Sequence, residues 1–356
     1  MDADQLTQAA AALDREALLR RIAAGGAALT LPALLSAPGA RASTSADGGF
    51  YPTHPRWRFA FVNPATDDPL FVPTVYGAAD ACGLVDCAFT WSGSETGKVR
   101  EQVNAFDAAL AAKADGIAVA VTDATAFEAP IKRALAKGIP VISYYADGAR
   151  GGAKARMAFV GQDSYESGVA LGERIATLVP KGDVALFIAV PGSFTLQPRV
   201  DGAVVGIKQS RKPINPSVVG TDPDPANALA AVESYYLAHK RVAGMFAVDA
   251  AGTQAVGQVV QKYRVGARLA AGGYDLLGKT PALVSQGSLD FAIDQQPYLQ
   301  GLYAVLQLFL YKLSGGLLAP SDTNTGPRFV TKANARPYVT TTTRYEGTSK
   351  AQKYPI

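Results

Sequence analysis

Histidine and cysteine are nearly absent from this sequence: His54, His239, Cys82 and Cys87 are all that 356 residues contain. They form no cluster with metal-ligand spacing, so a zinc site is not indicated. His54 stands in a Pro-rich lead-in, and His239 closes a helical stretch beside Lys240 and Arg241, a context that suits a surface. Also missing are a Gly-x-x-x-x-Gly-Lys-Ser/Thr phosphate loop, a Gly-x-Gly-x-x-Gly behind a strand, and the Gly-x-Ser-x-Gly elbow of hydrolases. No nucleophile–base pair is visible, so the sequence reads as a binder and not an enzyme, without cofactor or metal. Charge of one sign is lacking too. The 34 basic and 30 acidic residues leave a net +4 with no basic run, and so no nucleic-acid partner is expected.

Long hydrophobic runs are the next absence. The longest apolar, small-residue stretch, 22–35, is broken by Pro32 and falls short of the roughly 20 residues that span a bilayer. Arg15, Arg20 and Arg21 precede it, and Ala40-Arg41-Ala42 follows with small residues where a signal peptidase reads. Charged, apolar, then cleavable is the order of an export signal, expected over 1–42, with 43–56 a lead-in. A retained amphipathic helix is the alternative. Asp14-Arg15-Glu16-Ala17-Leu18-Leu19-Arg20 resembles a twin-arginine motif, but Glu16 replaces the second arginine, leaving the export route open. The expected location is periplasmic, or the extracellular face of the cytoplasmic membrane. In that oxidising space Cys82 and Cys87, with Gly83 to turn the chain, suit a disulfide stabilising the fold by about 2 kcal/mol. Two buried, unpaired thiols are the other reading.

What is present from Trp57 onward is an alternation of strand-like and helix-like segments. Strands are expected at 58–63, 85–91, 116–121 and 139–145, with helices at 70–82, 98–113 and 127–137 between them. The pattern repeats with strands at 156–160, 183–190, 217–221, 243–248, 269–274 and 289–293, and helices at 164–179, 196–210, 226–239, 252–263 and 296–313. Continuous apolar strands between helices indicate parallel sheets covered on both faces, here two successive α/β units. The loop-rich tail from 315 to 356 is expected to wrap the surface and add a strand near 329–331.

Ligands of open parallel sheets sit beyond the carboxyl ends of the strands. Those positions carry Asn63, Asp68 and Phe71; Trp91, Ser94 and Glu95; Tyr144, Tyr145 and Asp147; Gln162 and Asp163; Gln197 and Arg199; Asp249; Asp275; and Gln295. Aromatic rings pack on the C–H faces of a sugar while carboxylates, amides and guanidinium pair with its hydroxyls. Asp163 and Asp249 equally suit helix caps, and only one of Tyr144 and Tyr145, alternating on a strand, can face a cleft.

Several of these stretches resemble the periplasmic binding proteins of the ribose- and galactose-binding type: Gly161-Gln162-Asp163 with Gly168, Gln197-Pro198-Arg199 with Asp201-Gly202, and Ile293-Asp294-Gln295-Gln296-Pro297. Trp91-Ser92-Gly93-Ser94-Glu95 and Asp322-Thr323-Asn324-Thr325-Gly326 are similar to a simple-sugar branch of that family. The resemblance runs from about Arg58 to Lys312 and implies a type I Venus flytrap: two doubly wound parallel-sheet lobes joined by a three-crossover hinge. It divides the chain into 57–147 plus 275–312 for one lobe and 148–274 plus 313–356 for the other lobe and tail. By matching position, ligand contacts fall on Phe71, Tyr145, Gln197 or Arg199, Asp249, Asp275 and Gln295; Trp91, Gln162 and Asp163 are added from their strand-end places. Ribose-type members carry an aspartate–arginine pair where Tyr145-Ala146 stands, and an asparagine where Ala120 stands, so a larger or less polar ligand than ribose is implied.

The function so implied is capture of a sugar or sugar-like polyol by a monomeric extracytoplasmic protein and delivery to an ABC permease and its ATPase. A ligand-sensing receptor for a chemotaxis or kinase partner is the alternative.

Overall fold

Apolar runs too short to be helices become the buried strands of two sheets. The computed structural model describes residues 51–148, 155–340 and 344–345, and its elements belong to one compact unit, His54–Ile356. The expected export signal, most of the lead-in and the end of the tail lie outside the described residues.

The first sheet contains Arg58–Asn63 (β1), Ala88–Gly93 (β2), Gly116–Val121 (β3), Val141–Asp147 (β4), Phe159–Gly161 (β5) and, from far along the chain, Thr323–Asn324 (β11), in the order β11-β5-β4-β3-β1-β2. All its pairings are parallel. The period-2 alternation of β1 sorts its two faces. Phe59 and Phe61 pack with Ala78, Ala81 and Leu308 of Val72–Leu84 (α1) and Pro297–Leu313 (α9). Ala60 and Val62 pack with Phe106 and Phe127 of Val99–Ala111 (α2) and Ala124–Ala136 (α3). The strand β3, GIAVAV, is buried throughout, as a strand covered on both faces must be.

The second sheet repeats the plan with Gly182–Ile188 (β6), Ile214–Gly220 (β7), Gly244–Ala247 (β8), Ala270–Tyr274 (β9), Phe291–Asp294 (β10) and Arg328–Thr331 (β12), ordered β12-β10-β9-β8-β6-β7. Only β12 runs antiparallel. Ser164–Leu178 (α4) and Gln197–Gln209 (α5) cover one face. Pro225–Ala238 (α6), Ala250–Tyr263 (α7) and Thr280–Gln286 (α8) cover the other. Aspartates cap four helices: Asp123, Asp163, Asp224 and Asp249 each accept from a backbone N–H of the first turn. The helices α4 and α5 touch backbone to backbone. A Cβ on Gly168 would lie 2.3 Å from the Arg199 carbonyl, and one on Gly202 would lie 2.2 Å from that of Tyr165.

The chain passes between sheets three times, between Gly161 and Ser164, between Asp294 and Pro297, and between Asn324 and Arg328. Thr325 ties the three together: its N–H donates to Gly161 O at 3.0 Å, its hydroxyl to Gln295 O at 2.8 Å, and its carbonyl accepts from the Gln296 amide. This differs from the expected division in three places. The strand β5, placed after the 147 boundary, pairs with β4 in the first sheet through Ser143 and Phe159. Within 275–312, α8 and β10 belong with the second sheet. The tail is shared, β11 returning to the first sheet and β12 to the second. Parallel neighbours need not follow one another in sequence, so strand order is not set by the pattern of segments.

Cys82 and Cys87 are buried and unpaired, which corrects the disulfide reading. The Cys87 N–H instead turns back onto the Cys82 carbonyl at 2.9 Å. Burial raises both thiols, Cys87 to about 11 and Cys82 to about 12, so neither is reactive near neutrality. The short helices α8 and Arg336–Thr340 (α10) and the two-residue β11 were not expected from the sequence.

Candidate functional site

The carboxyl ends of both sheets open onto a cleft of about 430 Å³. The first lobe supplies Asp68, Phe71, Thr122 and Tyr145; the second supplies Thr195, Arg199, Asp249 and Asp275.

Arg199 sits in the first turn of α5 and is 4% exposed. Its Nη1 donates to Val248 O at 2.9 Å, its guanidinium lies 4.2 Å above the Tyr274 ring, and its Nε makes no hydrogen bond within the protein. Two acceptors of the cleft already belong to the fold. Asp249 caps α7 through Gly252 N at 2.8 Å and accepts Ala189 N on its other oxygen, also at 2.8 Å. Cap and site residue are therefore one and the same. Asp275 follows β9 at φ 70° and accepts from Gln295 Nε2 at 2.5 Å. Tyr145 lies two residues before the end of β4, at φ 61°. Non-glycine residues are uncommon in that left-handed region, and of the seven among the described residues Tyr145 and Asp275 line the cleft.

Desolvation dominates the electrostatics. Burial pushes Asp275 up to about 6 against the opposing pull of Arg199 and the Gln295 hydrogen bond, while Asp249 and Asp68 add to the rise. Asp249 and Asp68 are raised for the same first cause. The Tyr145 phenol is pushed to about 12 by burial, so it remains a neutral hydroxyl. The site thus holds one fixed cation, three carboxylates that resist ionisation, and a neutral phenol.

Aromatic groups form the first-lobe wall. Phe71 meets Tyr145 edge to face at 4.8 Å, and Tyr144 points the other way, inward, where its oxygen accepts from Asn63 Nδ2 at 2.8 Å. Trp91 does not line the cleft. It packs behind, 5.9 Å from Phe61 and 6.3 Å from Phe71, and donates its indole N–H to Thr66 O at 3.2 Å.

Of the remaining sequence candidates, Gln295 reaches the cleft only through Asp275. Gln197 is held by Gly192 N at 3.0 Å and Asp201 Oδ1 at 2.9 Å, which leaves Arg199 as the α5 residue in the cleft. Asp163 is exposed and caps α4 through Glu166 N at 2.8 Å. Gln162 lines a neighbouring chamber. The ligand set read from the sequence omitted Asp68, Thr122 and Thr195. Thr122 directly follows β3, so the strand-end rule reaches it; Thr195 lies in the long β6–α5 loop, where no such rule applies.

Residues 59–315 match the family model described as periplasmic binding protein domain. The xylose/arabinose-binding protein XylF of Sulfolobus acidocaldarius is 43% identical over 318 residues, covering 86% of this chain and 78% of that protein. Among solved structures, an ABC transporter solute-binding protein from Burkholderia graminis in complex with D-arabinose superimposes with a TM-score of 0.71 at 26% identity, covering 78% of this chain and 96% of the other. AraP, an arabinose-binding protein from Geobacillus stearothermophilus, shares the fold with a TM-score of 0.68 at 23% identity, covering 80% and 99% of the two chains.

Proposed function

The chain belongs to the periplasmic binding protein family, and we propose that it captures a neutral sugar of pentose size outside the cytoplasm and hands it to an ABC importer. Its work is binding, not catalysis. The observation that carries the reading is the cluster of Arg199, Asp249 and Asp275 on one lobe facing a cleft that Phe71 and Tyr145 wall from the other. Charged groups this deeply buried form strong, directional bonds to hydroxyls, and the rings supply the apolar face a pyranose needs. The relative named for xylose and arabinose, and the neighbour holding D-arabinose, direct the choice toward pentoses.

In this reading sugar bound to one lobe gains contacts from the other, and closure of the cleft follows from that difference in affinity. Residues 1–42 act as the export signal, the protein works as a monomer, and the closed form docks on a permease whose ATPase faces the cytoplasm.

Thermal unfolding in graded D-xylose, L-arabinose and D-arabinose tests the proposal. A melting temperature that climbs with the logarithm of one pentose's concentration supports it. No shift with any pentose, hexose or polyol sinks it.

A further inference from the structure

The cleft does not end at Tyr145. Tyr145 and Thr195 also wall a second chamber, of about 300 Å³, that runs between the lobes past the end of β4. Asp147, Arg156 and Phe159 line it from the first lobe, and Tyr165, Phe194 and Pro198 from the second, with Gln162 at the crossing.

Three features of this chamber are not explained by the fold. Gln162 is 2% exposed, yet neither its Oε1 nor its Nε2 has a hydrogen-bond partner. Burying an amide in that state costs about 1–3 kcal/mol, so a partner from outside the chain is expected. Phe194, in the β6–α5 loop, leaves 52% of its surface open although it is among the largest apolar side chains of the molecule. An exposed ring and an unsatisfied amide lining one chamber are the pairing that a sugar ring uses. The third feature is charge. Arg156 is already held by Asp147 at 2.7 Å and Asp322 at 2.9 Å. With Asp163 and Glu166 the lining carries four carboxylates against that single guanidinium, which disfavours an acidic or phosphorylated group.

We infer that the protein takes a neutral two-ring glycoside, with one ring beside Arg199, Asp249 and Asp275 and the second in this chamber, on Phe194 and hydrogen-bonded to Gln162. The glycosidic link passes between Tyr145 and Thr195, the residues common to both chambers. This rests on the sugar-capture reading and extends it from a monosaccharide to a disaccharide.

Titration calorimetry of the full chain with D-xylose and with xylobiose tests the inference, on the native protein and on Phe194→Ala and Gln162→Leu. Phe194 is exposed, so its loss leaves folding intact; an unpaired buried amide replaced by leucine is neutral or stabilising. Xylobiose is expected to bind at least about tenfold tighter than xylose. Each substitution is expected to take back roughly that factor for xylobiose while changing xylose less than about twofold. Xylobiose binding no tighter than xylose, or equal losses for both sugars, overturns the inference and leaves sugar capture standing. A Gln162→Leu protein that is more stable but binds xylobiose as before overturns the role of Gln162. Binding of neither sugar overturns the inference, while sugar capture stands or falls with the arabinoses, hexoses and polyols of the thermal screen.

Discussion

The Arg199 guanidinium lies 4.2 Å above the Tyr274 ring and donates through Nη1 to the Val248 carbonyl, so ring and backbone fix a cation on the cleft floor before any ligand arrives. That arrangement differs from a surface arginine, which must surrender rotamer freedom on binding.

Arg199→Met should therefore weaken sugar binding by about a hundredfold or more, the size of a lost charge-assisted bond plus its positioning. The guanidinium also holds down Asp275, so the same variant should titrate that carboxyl above about 6. Calorimetry and carboxyl titration by NMR check the two effects. A variant with unchanged affinity would remove Arg199 from the site.

Asp275 ties pH to stability. Its folded-state value is about 6 against an ordinary 3.8, so between these values the native protein holds more protons than the unfolded chain. Stability from this group is then complete below pH 3.8, falls as pH rises toward 6, and stays low above it. Asp275→Asn should raise the melting temperature of the ligand-free protein at pH 7.5, by an amount equivalent to about 2–3 kcal/mol, while weakening sugar binding. Sugar hydroxyls that donate to Asp275 would favour its ionised form, so wild-type complex formation near pH 6 should release protons, read as a calorimetric enthalpy that depends on the buffer. A destabilised Asn variant would contradict the assignment.

Asp249 separates a cap from a contact. Asp249→Ala removes the acceptor for both Gly252 N and Ala189 N and should cost about 1–2 kcal/mol of stability as well as affinity. Asp249→Asn retains one cap acceptor and should keep most of the stability yet still bind weakly. The pair of melting curves and binding isotherms distinguishes the roles. If both Asp249→Ala and Asp275→Ala left affinity unchanged, the cleft assignment would be wrong.

Gly168 reaches the site from behind. A methyl group there meets the Arg199 carbonyl at 2.3 Å, and backbone on both sides leaves nothing that can turn away. Gly168→Ala should push α5 off α4, lower stability by about 1–3 kcal/mol and weaken binding, although Gly168 does not line the cleft. Gly192→Ala, where a methyl meets nothing within 4 Å, is a control for substitution near α5; its φ of 80° predicts only a local backbone cost of about 1 kcal/mol. Equal binding by the Gly168 variant would refute the coupling.

Local patterns carried the fold. The apolar run of β3, the amphipathic α2 and the aspartates ahead of α4 and α7 were legible because a strand buried on both faces, a helix with one apolar stripe and a cap each leave a local mark. The two-residue β11 left none, since its pairing with β5 joins residues more than 160 positions apart.

The site divides in the same way. That Asp249, Asp275, Arg199 and Tyr145 stand at strand ends or helix starts is a property of the sequence, because the alternation of segments places them there. Which of them share a cleft is not. Gln197 and Arg199 are two residues apart on one helix, and only the hydrogen bonds of Gln197 to Gly192 and Asp201 turn the one aside. Trp91 stands two residues before the end of its strand as Tyr145 does, yet contacts with Phe61 and Phe71 draw it behind the wall. By itself the sequence determined two α/β units, the two-faced burial of their strands and a supply of polar and aromatic groups at the strand ends. Strand order, the three crossings, the unpaired thiols and the chamber beside Gln162 were decided by the tertiary structure, because each depends on contacts between residues that no local pattern relates.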